Sequence, residues 1–229
     1  MSPAGPPRGP VEIPALVRAF AENIDDVVWE NEIGGYTFQQ GDRFLKWNPL
    51  GNGVDLEHER ARLAWARAVG HRVPEVLELA RDDEGQLLVT RSLPGTSGAL
   101  GEWLDRPADA VRVLAEGYRV LHDRVPSAAC PFRIPWVPDD HPPYDGGPVV
   151  VHGDACAPNT LVGPDGRFAG HVDLGDLGVG DRWADLAVAS MSLDWNYGEG
   201  WQDAFFEAYG VERDEERIRY YRAVWEAFS

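Results

Sequence analysis

The chain has 229 residues, of which 44% are hydrophobic, and its 38 Asp and Glu outnumber its 21 Lys and Arg. This length and hydrophobic content suffice for a buried core in one large or two small domains. A formal charge of −17 repels nucleic acid and anionic membranes, and it either attracts a polycationic partner or only keeps the protein soluble. Two cysteines are too few for a disulfide framework. We therefore expect a folded cytoplasmic protein.

The first forty-seven residues predict an arm followed by a small antiparallel sheet. Residues 1–10 are rich in Pro and Gly and lack an apolar stretch, so we expect a mobile arm and neither a signal peptide nor a membrane anchor. A short helical segment at residues 16–20 precedes a strand, a glycine turn and a strand within residues 27–40. A third strand is expected at residues 43–47.

The following segment predicts one helix, two further strands and a hinge. Asp55 to Val69 has apolar residues spaced for one face of a helix, and Asp55 is a suitable N-cap. Strands are expected at residues 73–79 and 86–90, on either side of an acidic turn. The Pro- and Gly-containing run 93–98 interrupts this pattern. We expect it to connect an N-terminal lobe, residues 1–93, to a C-terminal lobe, residues 94–229.

The second half of the chain is predicted to be mainly helical. A helix at residues 108–124 precedes a proline-rich loop, residues 128–148, which Phe132 and Trp136 should hold by packing. A strand at residues 149–151 and a hairpin within residues 161–172 come next. Three more helices are expected at residues 181–193, 200–209 and 214–228.

The most informative motif lies around the predicted hairpin. His152-Gly153-Asp154 is followed by Asn159, and Asp173 comes fourteen residues after that Asn. An Asp that accepts a hydroxyl proton, an Asn five residues on and a second Asp after a hairpin are what a kinase-type catalytic loop uses to orient an alcohol and hold Mg²⁺ beside ATP. The motif therefore predicts phosphoryl transfer, and its His-Gly-Asp form favours a small-molecule kinase over a protein kinase.

Two upstream residues extend this constellation. Lys46 lies on a predicted strand, and Glu59 follows thirteen residues later on the predicted helix. Either residue alone would usually be on the surface, but a Lys, then a Glu, then the catalytic loop is the order of roles in kinases. The Lys would neutralise phosphates and the Glu would fix the Lys. Glu57 is the weaker partner because it lies on roughly the opposite side of the helix.

In these motifs the chain resembles the aminoglycoside 3'-phosphotransferase family. The resemblance covers nearly the whole chain, through Phe44 to Trp47, Cys130 to Phe132, Val151 to Asn159, Val172 to Gly175, Leu177 to Asp185, Phe205 to Gly210 and Tyr220 to Phe228. It implies an α+β, two-lobed, protein-kinase-like fold, with a small antiparallel sheet and one helix in the N-terminal lobe and a mainly helical C-terminal lobe. It also implies ATP and Mg²⁺ as cofactors, direct in-line transfer of the γ-phosphate to the 3' hydroxyl of an aminoglycoside, and antibiotic resistance as the result.

The resemblance also implies roles for individual residues. Asp154 resembles the catalytic base or hydroxyl-orienting group of the family, and Asn159 and Asp173 resemble its metal ligands. Lys46 and Glu59 resemble the pair that clamps the nucleotide phosphates.

Other family roles fall on loops and on residues that support them. Gly34 and Gly35 lie in a segment similar to the loop that covers the phosphates, although a Gly-Gly pair alone is usually a plain turn. Ser92 lies where the family's linker binds adenine. The remaining motif residues are expected to be structural: His152 supports the loop, Asp181 and Asp185 hold the following helix, and Cys156 is a small packed residue.

The acceptor of such an enzyme carries ammonium groups, which carboxylates bind through charge-assisted hydrogen bonds. Glu226, Phe228 and the terminal carboxylate correspond to acceptor contacts of the family. Asp194 and Glu199 are further candidates, against the plain alternative that surface carboxylates on helix ends are common.

Two departures from the family bear on the acceptor. Only residues 133–151 separate the Cys-Pro-Phe motif from the catalytic loop, where the family has a long helical segment that bears acidic residues. Asp139, Asp140 and Asp145 are candidates to replace its carboxylates; otherwise the pocket is open and suits another acceptor. Asp176 replaces a common Arg, a change that would weaken nucleotide binding or alter acceptor orientation.

These departures keep two alternatives open. The first is a kinase of the same fold for another small hydroxylated acceptor, such as a sugar, an amino alcohol or a macrolide. The second is a catalytically silent nucleotide-binding relative, against which Lys46, Asp154, Asn159 and Asp173 all argue because such a relative has no chemical need for them. A monomer is expected, since no helical face requires a partner.

Overall fold

A computed structural model describes residues 4–21, 23–24 and 26–228. Contacts divide the chain into two compact units, one from residues 1–64 and 74–92 and the other from residues 65–73 and 93–229. The lobe boundary predicted at residues 93 and 94 stays a prediction. Among the residues that the structure describes, no helix combines the length and apolarity that a membrane span requires.

The first unit contains the predicted antiparallel sheet. Its five strands are β1 (Asp26–Glu30), β2 (Tyr36–Gln40), β3 (Arg43–Pro49), β4 (Glu75–Arg81) and β5 (Gly85–Arg91), in the order β1-β2-β3-β5-β4. Every neighbouring pair is antiparallel. Within the predicted arm, Gly5 forms an isolated antiparallel bridge with Glu30 of β1; its mobility stays a prediction.

The core of the first unit lies between this sheet and helix α1 (Ala15–Phe20). Leu16 and Val17 of α1 pack in one cluster with Phe38, Leu45 and Leu87 from the central strands. Residues two apart along a strand share a face, which is why alternate positions of the strands supply the cluster. The helix predicted at residues 16–20 and the three predicted strands are thus confirmed.

Helix α2 (Leu56–Ala68) begins where its sequence predicts. Asp55 Oδ1 accepts a hydrogen bond from the backbone N–H of Glu57 at 3.0 Å, as an N-cap side chain does. The N–H of Leu56 is bound by Gln86 Oε1 of β5 at 2.8 Å. The start of α2 is therefore fixed to the sheet, and with it the position of the first helical turn.

The second unit is mainly helical. Its helices are α3 (Pro107–Arg124), α4 (Arg182–Tyr197), α5 (Gln202–Tyr209) and α6 (Glu215–Phe228). All residues of α4 from Trp183 to Leu193 are buried, so α4 is the central helix of the unit. It extends four residues beyond its predicted end at residue 193.

Two small sheets position the loops of the second unit. One contains β6 (Thr96–Ser97), β8 (Thr160–Val162) and β9 (Phe168–His171), and the other pairs β7 (Val149–Val151) with β10 (Gly178–Gly180). The sequence missed β6 and β10, because such short strands exist only through their partners. Between α3 and β7 the backbone is largely irregular, as the proline-rich sequence predicts.

Candidate active site

The catalytic loop leaves β7 in a backbone conformation that requires glycine. Gly153 has a φ of +86°, in the left-handed region that residues with side chains rarely adopt. A Cβ at this position would also overlap the backbone carbonyl of Asp176. Gly153 therefore allows the loop to pass close to the segment that follows Asp173.

Asp185, on the buried helix α4, holds the backbone of this loop. Its Oδ2 accepts from the N–H of His152 at 2.7 Å, and its Oδ1 accepts from the N–H of Gly153 at 3.0 Å. His122 Nε2 lies 3.0 Å from the same Oδ2. The sequence predicted that Asp185 supports the following helix, but these contacts show that it supports the loop. Asp181 does support that helix: it caps α4, and its Oδ1 accepts from the N–H of Trp183 at 3.1 Å.

His152 connects the backbones that precede the two acidic residues. Its Nε2 lies 2.9 Å from the carbonyl oxygen of Val172, and its Nδ1 lies 3.3 Å from the N–H of Asp154. The carbonyl requires a proton on Nε2, so Nδ1 is the acceptor. The completely buried ring thus fixes the backbone of Asp154 relative to the residue before Asp173.

Asn159 binds the catalytic aspartate directly. Its amide Nδ2 donates to Asp154 Oδ2 at 2.9 Å and to the carbonyl oxygen of Asp154 at 3.0 Å. With the amide nitrogen engaged, the carbonyl Oδ1 is the atom of Asn159 suited to a cation.

The environment of Asp154 is unfavourable for a negative charge. Burial raises the pKa of its carboxyl, and the nearby negative charge of Asp173 raises this pKa further, while His152 and the hydrogen bonds lower it by less. Asp173 itself has a φ of +59° and is the one non-glycine residue with positive φ in the described part of the chain. Strained backbone and shifted pKa values are concentrated at functional sites.

Asn159 and Asp173 carry the kind of oxygen ligand that Mg²⁺ takes. In the described ranges, no group of three or more His, Cys, Asp or Glu side chains could hold a metal ion alone. Magnesium usually binds one or two protein carboxylates and completes its shell with water and substrate phosphates. The Asn159 carbonyl oxygen and the Asp173 carboxylate match this chemistry, and a cation there would offset the repulsion between Asp173 and Asp154.

The first unit contains the predicted lysine and glutamate as an ion pair. Lys46 Nζ on β3 lies 2.8 Å from Oε2 of Glu59 on α2, and the glutamate side chain is only 8% exposed. Glu57, the weaker candidate from sequence, instead forms an exposed ion pair with Arg60 on the same helix. The contact between Lys46 and Glu59 therefore agrees with the sequence, while phosphate binding by Lys46 stays a prediction.

The side chain of Asn31, in the segment 31–37 that resembles the phosphate-covering loop, organises the glycine turn between β1 and β2. Asn31 Oδ1 accepts from the N–H of Gly35 at 2.6 Å and of Ile33 at 3.2 Å, and its Nδ2 donates to Asn48 Oδ1 at 2.9 Å. A Cβ on Gly35 would overlap these carboxamides. Gly34 has a φ of +84°. Both glycines are thus required by the turn itself, whatever it binds.

Ser92 follows β5, and its backbone N–H is already engaged. It donates to the carbonyl oxygen of Asp42 at 2.8 Å. Its Oγ is buried and lacks a hydrogen-bond partner within the described residues. Adenine binding through this residue would have to use its carbonyl or its hydroxyl, and the role stays a prediction.

Glu226 and Phe228, two of the predicted acceptor residues, line different grooves on α6. Glu226 lines a groove of about 400 Å³ with Arg219 and Arg222. Phe228 lines another of about 560 Å³ with Trp136 and Tyr220. The terminal carboxylate of Ser229 lies outside the described residues.

The helix-end carboxylates differ in their contacts. Asp194 Oδ2 accepts from Gln202 Nε2 at 2.6 Å, so this carboxylate is directed towards α5. Glu199 is exposed in the turn between α4 and α5. Acceptor binding by either residue stays a prediction.

Comparison with known proteins agrees with this arrangement. The model of a phosphotransferase enzyme family (APH) matches residues 134–221. A streptomycin 3''-kinase of Streptomyces griseus is 33% identical, over 85% of this chain and 88% of that protein. An aminoglycoside 3'-phosphotransferase of Streptomyces fradiae is 32% identical, over 79% of this chain and 82% of that protein. The chain belongs to the aminoglycoside phosphotransferase family.

Solved structures of this family share the fold. An aminoglycoside-3'-phosphotransferase of type VIII has a TM-score of 0.75 at 26% identity, over 93% of this chain and 97% of that one. The APH(3'')-Id enzyme of Streptomyces rimosus, in complex with ADP and streptomycin, has a TM-score of 0.70 at 25% identity, over 91% of this chain and 94% of that one. The family resemblance, the α+β kinase-like fold and the assignment as an enzyme are thereby confirmed.

The short loop of this aminoglycoside phosphotransferase uses one candidate carboxylate for structure. Asp145 Oδ2 accepts from Trp183 Nε1 at 3.0 Å, which binds the loop to α4. Asp139 forms an exposed ion pair with Arg133 at 2.7 Å. Asp140 lies near Tyr220 of α6, whose pKa is raised mainly by burial and further by the Asp140 charge. Of the three candidates, Asp145 is therefore the least suited to bind an acceptor.

Trp136 is the loop residue that contacts the catalytic motif. Its indole Nε1 donates to the carbonyl oxygen of Gly153 at 2.7 Å, and its ring packs edge-on against Tyr221, with centroids 6.5 Å apart. The sequence predicted that Trp136 packs but did not predict this bond. A lone Trp shortly before the strand that enters the catalytic loop is the signal that would have pointed to it.

Proposed function

We propose that this enzyme transfers the γ-phosphate of ATP to a hydroxyl of an aminoglycoside. The observation that carries the proposal is the arrangement of Asp154 with Asn159 and Asp173, in which one carboxylate is held by an amide and lies near a second carboxylate. The sequence similarity to aminoglycoside kinases supports the choice of acceptor class. The formal charge of −17 also favours a cationic acceptor.

Asp154 acts on the acceptor hydroxyl in this proposal. Its Oδ2 is held by Asn159, and the acceptor hydroxyl would donate a hydrogen bond to Oδ1, which orients the hydroxyl oxygen. The hydroxyl oxygen then bonds to the γ-phosphorus as the bond from that phosphorus to the ADP oxygen breaks, and the hydroxyl proton passes to Asp154. A raised pKa makes this carboxylate a stronger base than an ordinary Asp.

The remaining site residues position the phosphates. Mg²⁺, when bound, neutralises charge on the transferring phosphate, and Asn159 Oδ1 and the Asp173 carboxylate would hold it. Lys46 would neutralise the other phosphates while Glu59 fixes its ammonium group. The turn at Gly34 and Gly35 and the segment at Ser92 are proposed to contact the nucleotide, and catalysis would depend mainly on positioning and charge. We further propose that the enzyme is a cytoplasmic monomer that confers antibiotic resistance.

The 3' hydroxyl is the first candidate acceptor group. It follows from the family motifs and from the similarity to an aminoglycoside 3'-phosphotransferase. The similarity to a streptomycin 3''-kinase is of equal size and covers slightly more of both chains. A streptomycin-type acceptor is therefore the second candidate.

The test is phosphoryl transfer by the purified protein with Mg·ATP, using kanamycin-type, streptomycin-type and non-aminoglycoside alcohols as acceptors. NMR of the product identifies the phosphorylated hydroxyl. The matched control is Asp154→Asn, which should lower turnover by about 10²- to 10⁴-fold and still bind nucleotide in a thermal-shift measurement. Phosphorylation of other alcohols alone, or undiminished turnover by the variant, would refute the proposal.

A further inference from the structure

A pair of tryptophans, one exposed and one half-buried, lies near the end of α4. Trp195 is 58% exposed, in contrast to the buried run that precedes it on the same helix. Its ring lies 6.0 Å from that of Trp225 on α6, at an interplanar angle of 37°, and Trp225 is partly buried against the core of the unit. The exposed face of Trp195 is both apolar and able to attract a cation, so it is available to a ligand that has both properties. We call Trp195 and Trp225 the indole pair.

The helix that carries Trp195 is connected to the catalytic loop one turn earlier. Ser192 Oγ accepts from the N–H of Ala157 at 2.9 Å. Burial raises the pKa of the Cys156 thiol, and the nearby Asp154 raises it further while Ser192 lowers it. Residues three apart share one face of a helix, so Trp195 lies on the same face as Ser192, next along the helix from the loop of the catalytic base.

We propose that the indole pair binds a ring of the acceptor that carries an ammonium group. This inference rests on the proposed function and specifies how the acceptor is held. Trp is the aromatic side chain that attracts a cation most strongly over its face, and its apolar area suits the C–H face of a sugar ring. Trp225 supports the exposed ring of Trp195 from the core side.

The indole pair takes a role that the sequence analysis gave to carboxylates. Asp194, the residue beside Trp195, directs one carboxylate oxygen to Gln202. Indole rings attract cations less strongly than carboxylates but discriminate by shape, since the ring face must stack on the acceptor. The enzyme would therefore prefer acceptors that combine an ammonium group with an exposed sugar face over simple polyamines.

The test measures acceptor binding to the full chain by calorimetry, without nucleotide, using one kanamycin-type and one streptomycin-type aminoglycoside. Trp195→Ala removes the exposed ring and Trp195→Phe keeps an aromatic face. Leu104→Ala is the matched control, because Leu104 is also an exposed apolar residue of the second unit, at 46% exposure. The nucleotide KM of each variant is measured in parallel, together with its thermal midpoint.

Trp195→Ala should weaken binding of at least one acceptor about threefold to thirtyfold, while Trp195→Phe retains most of the affinity and Leu104→Ala retains all of it. The nucleotide KM should be unchanged. Acceptor affinity within twofold of wild type in Trp195→Ala would overturn the proposal, and so would a wild-type protein that binds neither aminoglycoside. If the acceptors bind through Trp195 but receive no phosphate, the indole pair stands and the proposed phosphotransferase reaction fails.

Discussion

Two buried histidines should make this enzyme sensitive to acid. His71 Nε2, just after α2, lies 3.0 Å from His171 Nδ1 at the end of β9, and both residues belong to the second unit. The side chains are almost completely buried, and His171 also stacks on Tyr118 with ring centroids 5.1 Å apart. Protonating either ring would place a charge in this core.

The size of the loss in stability follows from the lowered pKa of His71. Burial is the main cause that lowers its pKa from 6.5 to about 4, with smaller effects from the neighbouring histidines and Arg72. The pKa of His171 is lowered as well, again mainly by burial. In the unfolded chain both rings take up protons near pH 6.5, so the unfolded state binds more protons below that pH.

The free energy of unfolding should therefore fall as the pH drops from about 7 towards 4. His71 alone accounts for a loss of roughly 2 kcal/mol between pH 7 and pH 5, and His171 acts in the same direction. The loss of stability begins near the pKa that the histidines have in the unfolded chain, and it is complete only below the pKa that they have in the folded protein. If enzyme activity is measured against pH, part of its decrease between pH 7 and pH 4 would then come from unfolding and not from the catalytic groups.

Urea denaturation of the apoprotein at a series of pH values measures this loss. His71→Gln should reduce the decrease in stability between pH 7 and pH 5 by about 2 kcal/mol, whatever its own stability at pH 7. His58→Gln is the control, since His58 is exposed on α2, and it should leave the pH dependence unchanged. An unaltered slope in His71→Gln would refute the reasoning.

Three further substitutions test individual contacts. Lys46→Met should raise the nucleotide KM at least about tenfold by removing the ammonium that Glu59 holds, as steady-state kinetics would show. Trp136→Phe leaves the buried carbonyl of Gly153 without its donor and should cost about 1–3 kcal/mol of stability, measured by urea denaturation, with a lower kcat. Ser92→Ala removes a buried hydroxyl that lacks a described partner; its thermal midpoint should equal or exceed that of wild type, and a clear loss would contradict this.

The elements that sequence predicts well are those set by local pattern. The strands of the first unit alternate apolar residues, and α3 repeats them at helical spacing, so both were predictable within a few residues. The catalytic motif was readable because its chemistry fixes residue types at fixed spacing. Strand β6, with only Thr96 and Ser97, has no pattern of its own and forms by pairing with β8.

The contacts that sequence could not predict depend on partners distant along the chain. Trp136 binds Gly153 seventeen residues away, and Asp185 binds the same loop from thirty-two residues further on. Asp145 was a candidate for acceptor binding because it is a carboxylate, but its oxygen is engaged by Trp183. Charge alone indicates that a side chain needs a partner, and only the fold decides which partner it has.

The catalytic base should reduce the stability of the protein that carries it. Burial and Asp173 raise the pKa of Asp154 above the unfolded value, so at neutral pH its ionised form is disfavoured in the folded state and stability falls as the pH rises through the folded pKa. Asp154→Asn keeps an oxygen for the amide of Asn159 and removes the charge. It should therefore turn over about 10²- to 10⁴-fold more slowly yet show a higher denaturation midpoint than wild type at pH 8, with the difference shrinking towards pH 4. A variant less stable than wild type at both pH values would show that the buried charge is compensated by contacts stronger than its desolvation, and that this site holds its aspartate at no cost to the fold.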